Sequence, residues 1–309
     1  MHRKIVRSLW AGLVVVTAIS VLFVYRADVL RVVGVSTSSA ATPKVRSTGF
    51  YLDIGASSSL GTQPNGVPAH NGHRTKKGYS DGLVALEATH GMALTMREIG
   101  CPGETVQTML GQLKNACYTL PNTQLTIAMS YLHDHSGEPG VVTIDLGFNN
   151  IRPCLTATVT ITSCVNNGII AVRNDLPTIV SRLQRAAGPR VHFVGVGYGD
   201  PFLAYYLNGS SGRVIAQQSF VAMNQLNTVL QQVYNARSVP MANVWGAFQS
   251  GRTNLVTTSK FGTVPENVAE NCSKTWMCTQ PPFGPDDHPN SAGYSIIAHA
   301  IFAKLPRLS

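Results

Sequence analysis

The stretch Tyr51-Leu52-Asp53-Ile54-Gly55-Ala56-Ser57-Ser58-Ser59-Leu60-Gly61 runs from an apolar segment into a glycine followed by small residues. A short apolar run bounded by turn residues reads as a buried strand, here Phe50–Ile54. The Gly-Ala-Ser turn behind it exposes a serine hydroxyl and aims backbone N–H groups inward. Outward from this stretch, apolar β-rich runs alternate with amphipathic ones. Leu94–Ile99, Val141–Leu146, Val191–Val196 and Met241–Trp245 read as further strands. Gly82–His90, Val106–Leu113, Gln124–His133, Ile169–Ala187, Ile215–Ala236 and Ser291–Lys304 read as helices. Strands separated by helices imply right-handed βαβ crossovers, hence a three-layer α/β/α domain around a central, mainly parallel sheet. Active sites in such sheets lie beyond the carboxyl ends of the strands. The turns after Ile54, Ile99 and Leu146 carry Ser57, Gly103 and Asn149.

The chain has 309 residues, of which 44% are hydrophobic and 13% charged, so it has the material for one substantial packed domain. Its net charge of +9 invites a nucleic-acid reading, but the basic residues form no stripe interleaved with aromatics. Several of them, Arg3, Lys4, Arg7, Arg26 and Arg31, flank the uncharged run Leu9–Tyr25 instead. That run of about 17 residues is at the short end of a membrane-spanning helix. Arg26, Asp28 and Arg31 follow it where a cleavage site would sit, which favours a signal anchor over a cleaved signal peptide. Positive charges before the run put the N-terminus in the cytoplasm and the main domain outside. The expected organisation is therefore 1–33 signal anchor or signal peptide, 34–48 tether, and 49–309 a single exported domain, membrane-anchored or secreted.

Six cysteines support export. Cys101/Cys117, Cys154/Cys164 and Cys272/Cys278 are sequence-adjacent pairs, each enclosing a loop segment with Gly, Asn or Pro, which favours sequential pairing among the alternatives that remain open. Zinc ligation needs close C-x-x-C spacing, which is missing. His133-Asp134-His135 has no second ligand cluster to complete a metal site.

Single residues carry weak signals. A serine in a small-residue turn is by default a helix cap. His288, in Asp286-Asp287-His288-Pro289-Asn290, is a loop histidine just before a helix for which Asn290 is a good N-cap, a place from which a general base can reach a site. Gly103 follows a proline, and Asn149 stands in Gly147-Phe148-Asn149-Asn150; each is an ordinary turn residue if taken alone. Their order is more telling. An early serine, a glycine, an asparagine and a late histidine resemble the four blocks of the SGNH (GDSL-type) hydrolases, over about Phe50 to Leu308. The resemblance is closest to secreted bacterial members, which share the Gly-Cys-Pro-Gly-Glu-Thr run at Gly100–Thr105, Thr275-Trp276-Met277-Cys278 followed by prolines, and paired cysteines in three loops.

This resemblance implies a flavodoxin-like fold and hydrolysis of carboxylic esters without metal or other cofactor. It implies Ser57 as nucleophile, His288 as base, and the Ser57 N–H, Gly103 N–H and Asn149 amide as oxyanion donors. The expected partner is a small-molecule ester or lipid substrate. Three positions depart from the family pattern: Ala56 and Asn150 each stand where an aspartate is usual, and Pro285 holds the place of the usual acid. Asp286 is then the favoured residue to orient His288, with Asp287 or a backbone carbonyl as alternatives. No Gly-x-Ser-x-Gly elbow is present, which speaks against the α/β-hydrolase class. The rival reading is a non-catalytic envelope protein of the same fold that binds an acylated glycan or lipid, motivated by Ala56 and Asn150.

Overall fold

The computed structural model describes residues 45, 47–67, 72–156 and 160–307. The run Leu9–Tyr25 lies outside the described residues, and among these no helix is long and apolar enough to cross a membrane. The described residues belong to one compact unit, Pro43–Ser309.

In chain order the elements are β1 (Ser47–Gly55), α1 (Tyr79–Thr89), β2 (Met92–Glu98), α2 (Val106–Met109), α3 (Gln124–Asp134), β3 (Gly140–Asp145), α4 (Phe148–Ile151), α5 (Thr162–Ala186), β4 (Val191–Val196), α6 (Gly209–Asn235), β5 (Met241–Ala242), α7 (Val244–Ala247), β6 (Leu255–Thr258), β7 (Gly262–Pro265), α8 (Glu266–Lys274) and α9 (Ser291–Phe302). Five strands form one parallel sheet in the order β2-β1-β3-β4-β5. This is the flavodoxin-like doubly wound order, whose direction of growth reverses between β1 and β3.

Strand alternation divides the core. Phe50, Leu52 and Ile54 of β1 and Val142 and Ile144 of β3 pack with Leu125 and Leu132 of α3, Leu176 and Ile179 of α5, and Leu226 and Leu230 of α6. Tyr51 and Val141 point the other way and pack with Tyr79 and Leu83 of α1 and Tyr294, Ile297 and Ile301 of α9. Successive strand side chains point to opposite faces, so residues buried on both sides produce the near-continuous apolar runs seen in the sequence.

Several element boundaries differ from expectation. Strand β1 begins at Ser47, so two residues read as tether open the sheet. The expected helix Val106–Leu113 stops at Met109, because Gly111 adopts a left-handed φ of 75°. The expected strand Met241–Trp245 pairs over Met241–Ala242 only: the Asn243 side chain accepts a hydrogen bond from the Gly246 N–H and turns the chain into α7. The hairpin β6–β7 and helix α8 had no counterpart in the sequence reading. Disulfides join Cys101–Cys117, Cys154–Cys164 and Cys272–Cys278.

Candidate active site

At the carboxyl end of β1 the chain is gripped on both sides. The Gln124 side chain accepts from the Gly55 N–H at 2.9 Å and donates to the Gly55 carbonyl at 3.0 Å, and the Cys101 N–H donates to the same carbonyl. A Cβ at Gly55 would come within 2.8 Å of Asp145, so only glycine lets β1 and β3 end this close together. The chain then turns: Leu60 and Thr62 N–H groups donate to the Ser57 carbonyl, and Ser59 Oγ donates to the Ala56 carbonyl. Ser57 is therefore not a helix cap. Its Oγ lies 2.8 Å from His288 Nε2.

His288 reaches the serine from a loop pinned to the segment before it. Thr275 and Pro289 form an antiparallel bridge, the Trp276 N–H donates to the His288 carbonyl, and the Asn290 N–H donates to the Lys274 carbonyl. The Cys272–Cys278 disulfide closes that segment, and Asn290 caps α9 through the Gly293 N–H. The Asp286 Oδ1 accepts from the His288 backbone N–H at 2.9 Å and lies 2.7 Å from Nδ1. Asp287 is further off, 3.8 Å from Nδ1, and accepts from Arg152 Nε. A carboxylate at Nδ1 holds the proton there and leaves the Nε2 lone pair facing the serine O–H.

The electrostatics agree with this geometry. Burial alone would lower the pKa of His288, which is 8% exposed, but the hydrogen bond to Asp286 and the charges of Asp287 and Asp286 raise it above the ordinary histidine value. For Asp286 burial pulls upward, yet the hydrogen bond and charge of His288 win and hold it below the ordinary carboxylate value.

Asn149 enters from the end of β3. Gly147, at φ 119°, permits the turn into α4, and Asn149 Nδ2 donates to the Glu104 carbonyl at 3.2 Å. A carbonyl only accepts, so this bond fixes the amide orientation and leaves the second N–H free. Asn150 points elsewhere: its Oδ1 accepts from the Val106 N–H, and its Nδ2 donates to Gln107 Oε1 at 2.7 Å. Here the asparagine ties the α2 turn down with a donor that an aspartate lacks.

Ser57, His288 and Asn149 line one small cleft of about 20 Å³, together with Glu104, Asp145, Phe148, Arg152, Tyr198 and Asp287. A more apolar cavity of about 40 Å³ adjoins it, sharing Ser58, Asp145, Phe148, Tyr198 and Asp287 and closed by Val196, Val244, Phe248 and Ile297. Gly103 stands at φ 79° in the exposed turn one residue before Glu104; Glu104, not Gly103, is among the lining residues. Glu104 is buried and pushed up to about 7 by that burial, against hydrogen bonds from Thr108 and Asn115. The sequence reading assigned no role to Glu104, Asp145, Arg152 or Tyr198. Asp145 alone had left a signal, as an acid inside an otherwise apolar strand. Asp286, Asp287 and His288 also gather three potential metal-ligand atoms. Asp287 is engaged by Arg152, and Asp286 by His288, so these ligand atoms already have partners.

A parallel α/β/α sheet with these blocks at its carboxyl edge defines the SGNH hydrolase class. Residues 58–296 match the model of the GDSL-like lipase/acylhydrolase family, a span that begins one residue after Ser57 and includes Gly103, Asn149 and His288. The chain belongs to this family. It is similar in fold to the extracellular lipase of Streptomyces rimosus, with a TM-score of 0.51 at 18% identity, over 83% of this chain and 100% of that one. It is also similar to phospholipase A1 from Streptomyces albidoflavus NA297 (TM-score 0.49, 19% identity, 83% and 99% covered). A third similar structure is Est24, a carbohydrate acetylesterase from Sinorhizobium meliloti (TM-score 0.47, 14% identity, 84% and 97% covered). No curated protein matches the chain in sequence.

Proposed function

We propose that the protein is an extracytoplasmic serine hydrolase of carboxylic esters, of the esterase or lipase type, acting through an acyl-enzyme on Ser57. The observation that carries this reading is the hydrogen-bonded series Ser57 Oγ–His288 Nε2 at 2.8 Å and His288 Nδ1–Asp286 Oδ1 at 2.7 Å. Nucleophile, base and orienting acid stand at hydrogen-bond distance, and the base is nearly withdrawn from water.

As Ser57 Oγ attacks the ester carbonyl carbon, His288 Nε2 takes the serine proton. The carbonyl oxygen becomes an oxyanion held by the free N–H of the Asn149 amide and by the Ser57 N–H, with Gly103, exposed in the turn before Glu104, as the third donor that the family pattern implies. Collapse of this intermediate breaks the bond to the alcohol oxygen, which leaves with the proton from His288. Water then gives a proton to Nε2 and attacks the acyl carbon, and the proton returns to Ser57 Oγ as the acid departs. Asp286 orients the imidazole and stabilises its charged form throughout.

The cleft and its adjoining cavity, about 20 and about 40 Å³, are far smaller than the several hundred Å³ of a site that encloses a long acyl chain. Short acyl chains are the proposed preference. Three disulfides fit an oxidising compartment. The Leu9–Tyr25 run is proposed as the export signal or membrane anchor. The test is a panel of p-nitrophenyl esters of increasing acyl length with Ser57→Ala as control. Turnover of acetyl or butyryl esters that vanishes in Ser57→Ala, while Ser58→Ala and Ser59→Ala keep most of it, supports the reading. Failure of a serine-directed phosphonate to label the protein favours the non-catalytic envelope protein.

A further inference from the structure

Two aspartates lie side by side under the nucleophile turn, on the α1/α9 side of the sheet: Asp53 in β1, fully buried, and Asp145 at the end of β3, 2% exposed. The arginine and lysine ion pairs among the described residues involve other acids, so no basic side chain neutralises either one. Their partners are hydroxyl groups, and each hydroxyl has a single proton to give. Counting those protons fixes the charges.

Ser80 Oγ lies 2.8 Å from the Ser59 carbonyl and 2.5 Å from Asp53 Oδ2. The serine has one proton for two acceptors, and a single arrangement gives both contacts a proton: the serine O–H donates to the carbonyl, which can only accept, and the Asp53 carboxyl donates to the serine oxygen. The other oxygen, Asp53 Oδ1, accepts from Thr143 Oγ1 at 2.7 Å, whose own oxygen receives the Tyr51 O–H. Tyr79 Oη stands between the acids, 3.1 Å from Asp53 Oδ1 and 3.3 Å from Asp145 Oδ2. With Asp53 satisfied by Thr143, the tyrosine proton is free for Asp145, which also has a hydrogen bond with the Tyr198 side chain. Asp145 in turn lines the cleft that holds Ser57 and His288.

We propose that Asp53 and Asp145 are a proton-sharing pair in which Asp53 is the neutral acid and Asp145 the fixed anion, and that Asp145 is a positioning residue that stabilises the charged form of His288. The inference rests on the proposed catalytic role of His288. Charges buried without a cation are costly, and placing one proton on the pair leaves a single anion that two tyrosines and the histidine share. Burial, the first cause in each case, pushes both carboxyls upward, so both resist ionisation. The groups facing Asp145 are Asp53 from β1, Tyr79 from α1, Tyr198 beyond β4, Tyr234 from α6, Tyr294 from α9, and His288. Those facing His288 are Asp286 and Asp287 on its own loop and Arg152 beyond α4, and Asp145 lines the same cleft.

Two readouts that need no turnover test the proposal on the full folded protein. In protein labelled with ¹³C-aspartate, buried Asp200 also contributes an un-ionised carboxyl stretch at neutral pH, so the readout is the wild-type minus Asp53→Asn difference spectrum, which should contain the carbonyl stretch of a second un-ionised carboxyl. The His288 ring, followed by NMR in labelled protein, should titrate about one pH unit lower in Asp145→Asn, the low end of what a nearby opposite charge does. Asp53→Asn replaces one neutral group by another and should leave that midpoint in place. If Asp145→Asn does not fold, Tyr198→Phe, which removes one donor to Asp145, should move the same carboxyl band. A wild-type minus Asp53→Asn difference spectrum without the band, or an unmoved His288 midpoint in folded Asp145→Asn, overturns the proposal. Absence of esterase turnover with both signals present would instead overturn the catalytic reading.

Discussion

Replacing Asp286 by asparagine separates the two things a carboxylate does for His288, orientation and charge. Both of its contacts with the histidine, the backbone N–H at 2.9 Å and Nδ1 at 2.7 Å, fall on the same oxygen, Oδ1. An asparagine whose carbonyl takes that place keeps both bonds, and with them the tautomer that leaves Nε2 free. What disappears is the charge. A hydrogen bond to a charged group exceeds a neutral one by about 1–1.5 kcal/mol, about tenfold in rate if the whole difference is felt in the transition state. Asp287 remains 3.8 Å from Nδ1, where a unit charge at an effective dielectric of 20 still contributes about 4 kcal/mol before Arg152 offsets part of it. Asp286→Asn should therefore lose on the order of tenfold in kcat, far less than a wrong tautomer costs. Asp286→Ala, which also removes the orienting bond, should lose at least tenfold more. The pH profile of kcat/KM carries the sign. His288 must be neutral to act as base, and Asp286 raises its pKa, so the acid limb should move to lower pH in Asp286→Asn. The assay is stopped-flow hydrolysis of p-nitrophenyl acetate across the pH range. Equal losses in Asp286→Asn and Asp286→Ala, or an acid limb that stays put, would refute the division of labour; a larger loss in Asp287→Asn would move the orienting role to Asp287.

Asn149→Ala should lower kcat by about 10²–10³ with little change in KM, because the free amide N–H meets charge only in the transition state; a rise in KM alone would make Asn149 a binding residue. Breaking Cys272–Cys278 by a double alanine change should cost about 2 kcal/mol on the loop-closure account. It should also lower kcat, since the bridge closes the segment that pins the His288 loop; melting and steady-state kinetics on the same sample separate the two effects. Stability should depend on pH in an unusual direction. Burial raises Asp53, Asp200 and Glu104 to about 7 and Asp145 to about 6 in the folded protein. The folded state therefore holds protons that the unfolded chain has released, and the stability they contribute is fully present below the unfolded carboxyl pKa and is lost as pH rises towards 7. Raised His288 acts in the same sense, while depressed Asp286 favours folding only above the carboxyl range. Calorimetric melting should show a midpoint that falls from about pH 5 to about pH 8; a rising midpoint would contradict the buried-acid assignments.

The sheet was legible because its strands are buried on both faces, which makes Val141–Leu146 and Val191–Val196 nearly unbroken apolar runs against helices of a different period. The same criterion failed at the end of the sheet. Met241–Trp245 has the composition of a strand, but one side chain, Asn243, satisfies a helical N–H and ends the pairing after two residues. Hairpin β6–β7 stayed hidden because its outward positions are exposed threonines and a leucine, with Val264 the buried residue. The site residues followed from the order of blocks along the chain. Which of two adjacent aspartates pairs with His288 Nδ1 rests on a local bond from the His288 N–H to Asp286 Oδ1, which composition does not display. The acids Asp53 and Asp145 were visible as charges in apolar strands, but their pairing needs the register that sets Asp53 opposite Thr143 and Gly55 opposite Asp145.

The proposed catalytic groups owe their positions to residues that take no part in the proposed chemistry, each through a bond that satisfies a backbone group. Gln124 grips Gly55 at the end of β1, with its amide making both bonds that a peptide would make. Glu104 lends its carbonyl to Asn149 while its side chain is held by Thr108 and Asn115. The Lys274–Trp276 segment lends its backbone to the His288 loop. The serine and the asparagine follow directly after β1 and β3, the two strands between which the sheet reverses its winding, so the crossing connections leave on opposite faces and a crevice opens where they part. Ala56 still offers its carbonyl to Ser59, and Asn150 ties Val106 and Gln107 to the floor of the site, so the turns keep their shape without the usual carboxylates.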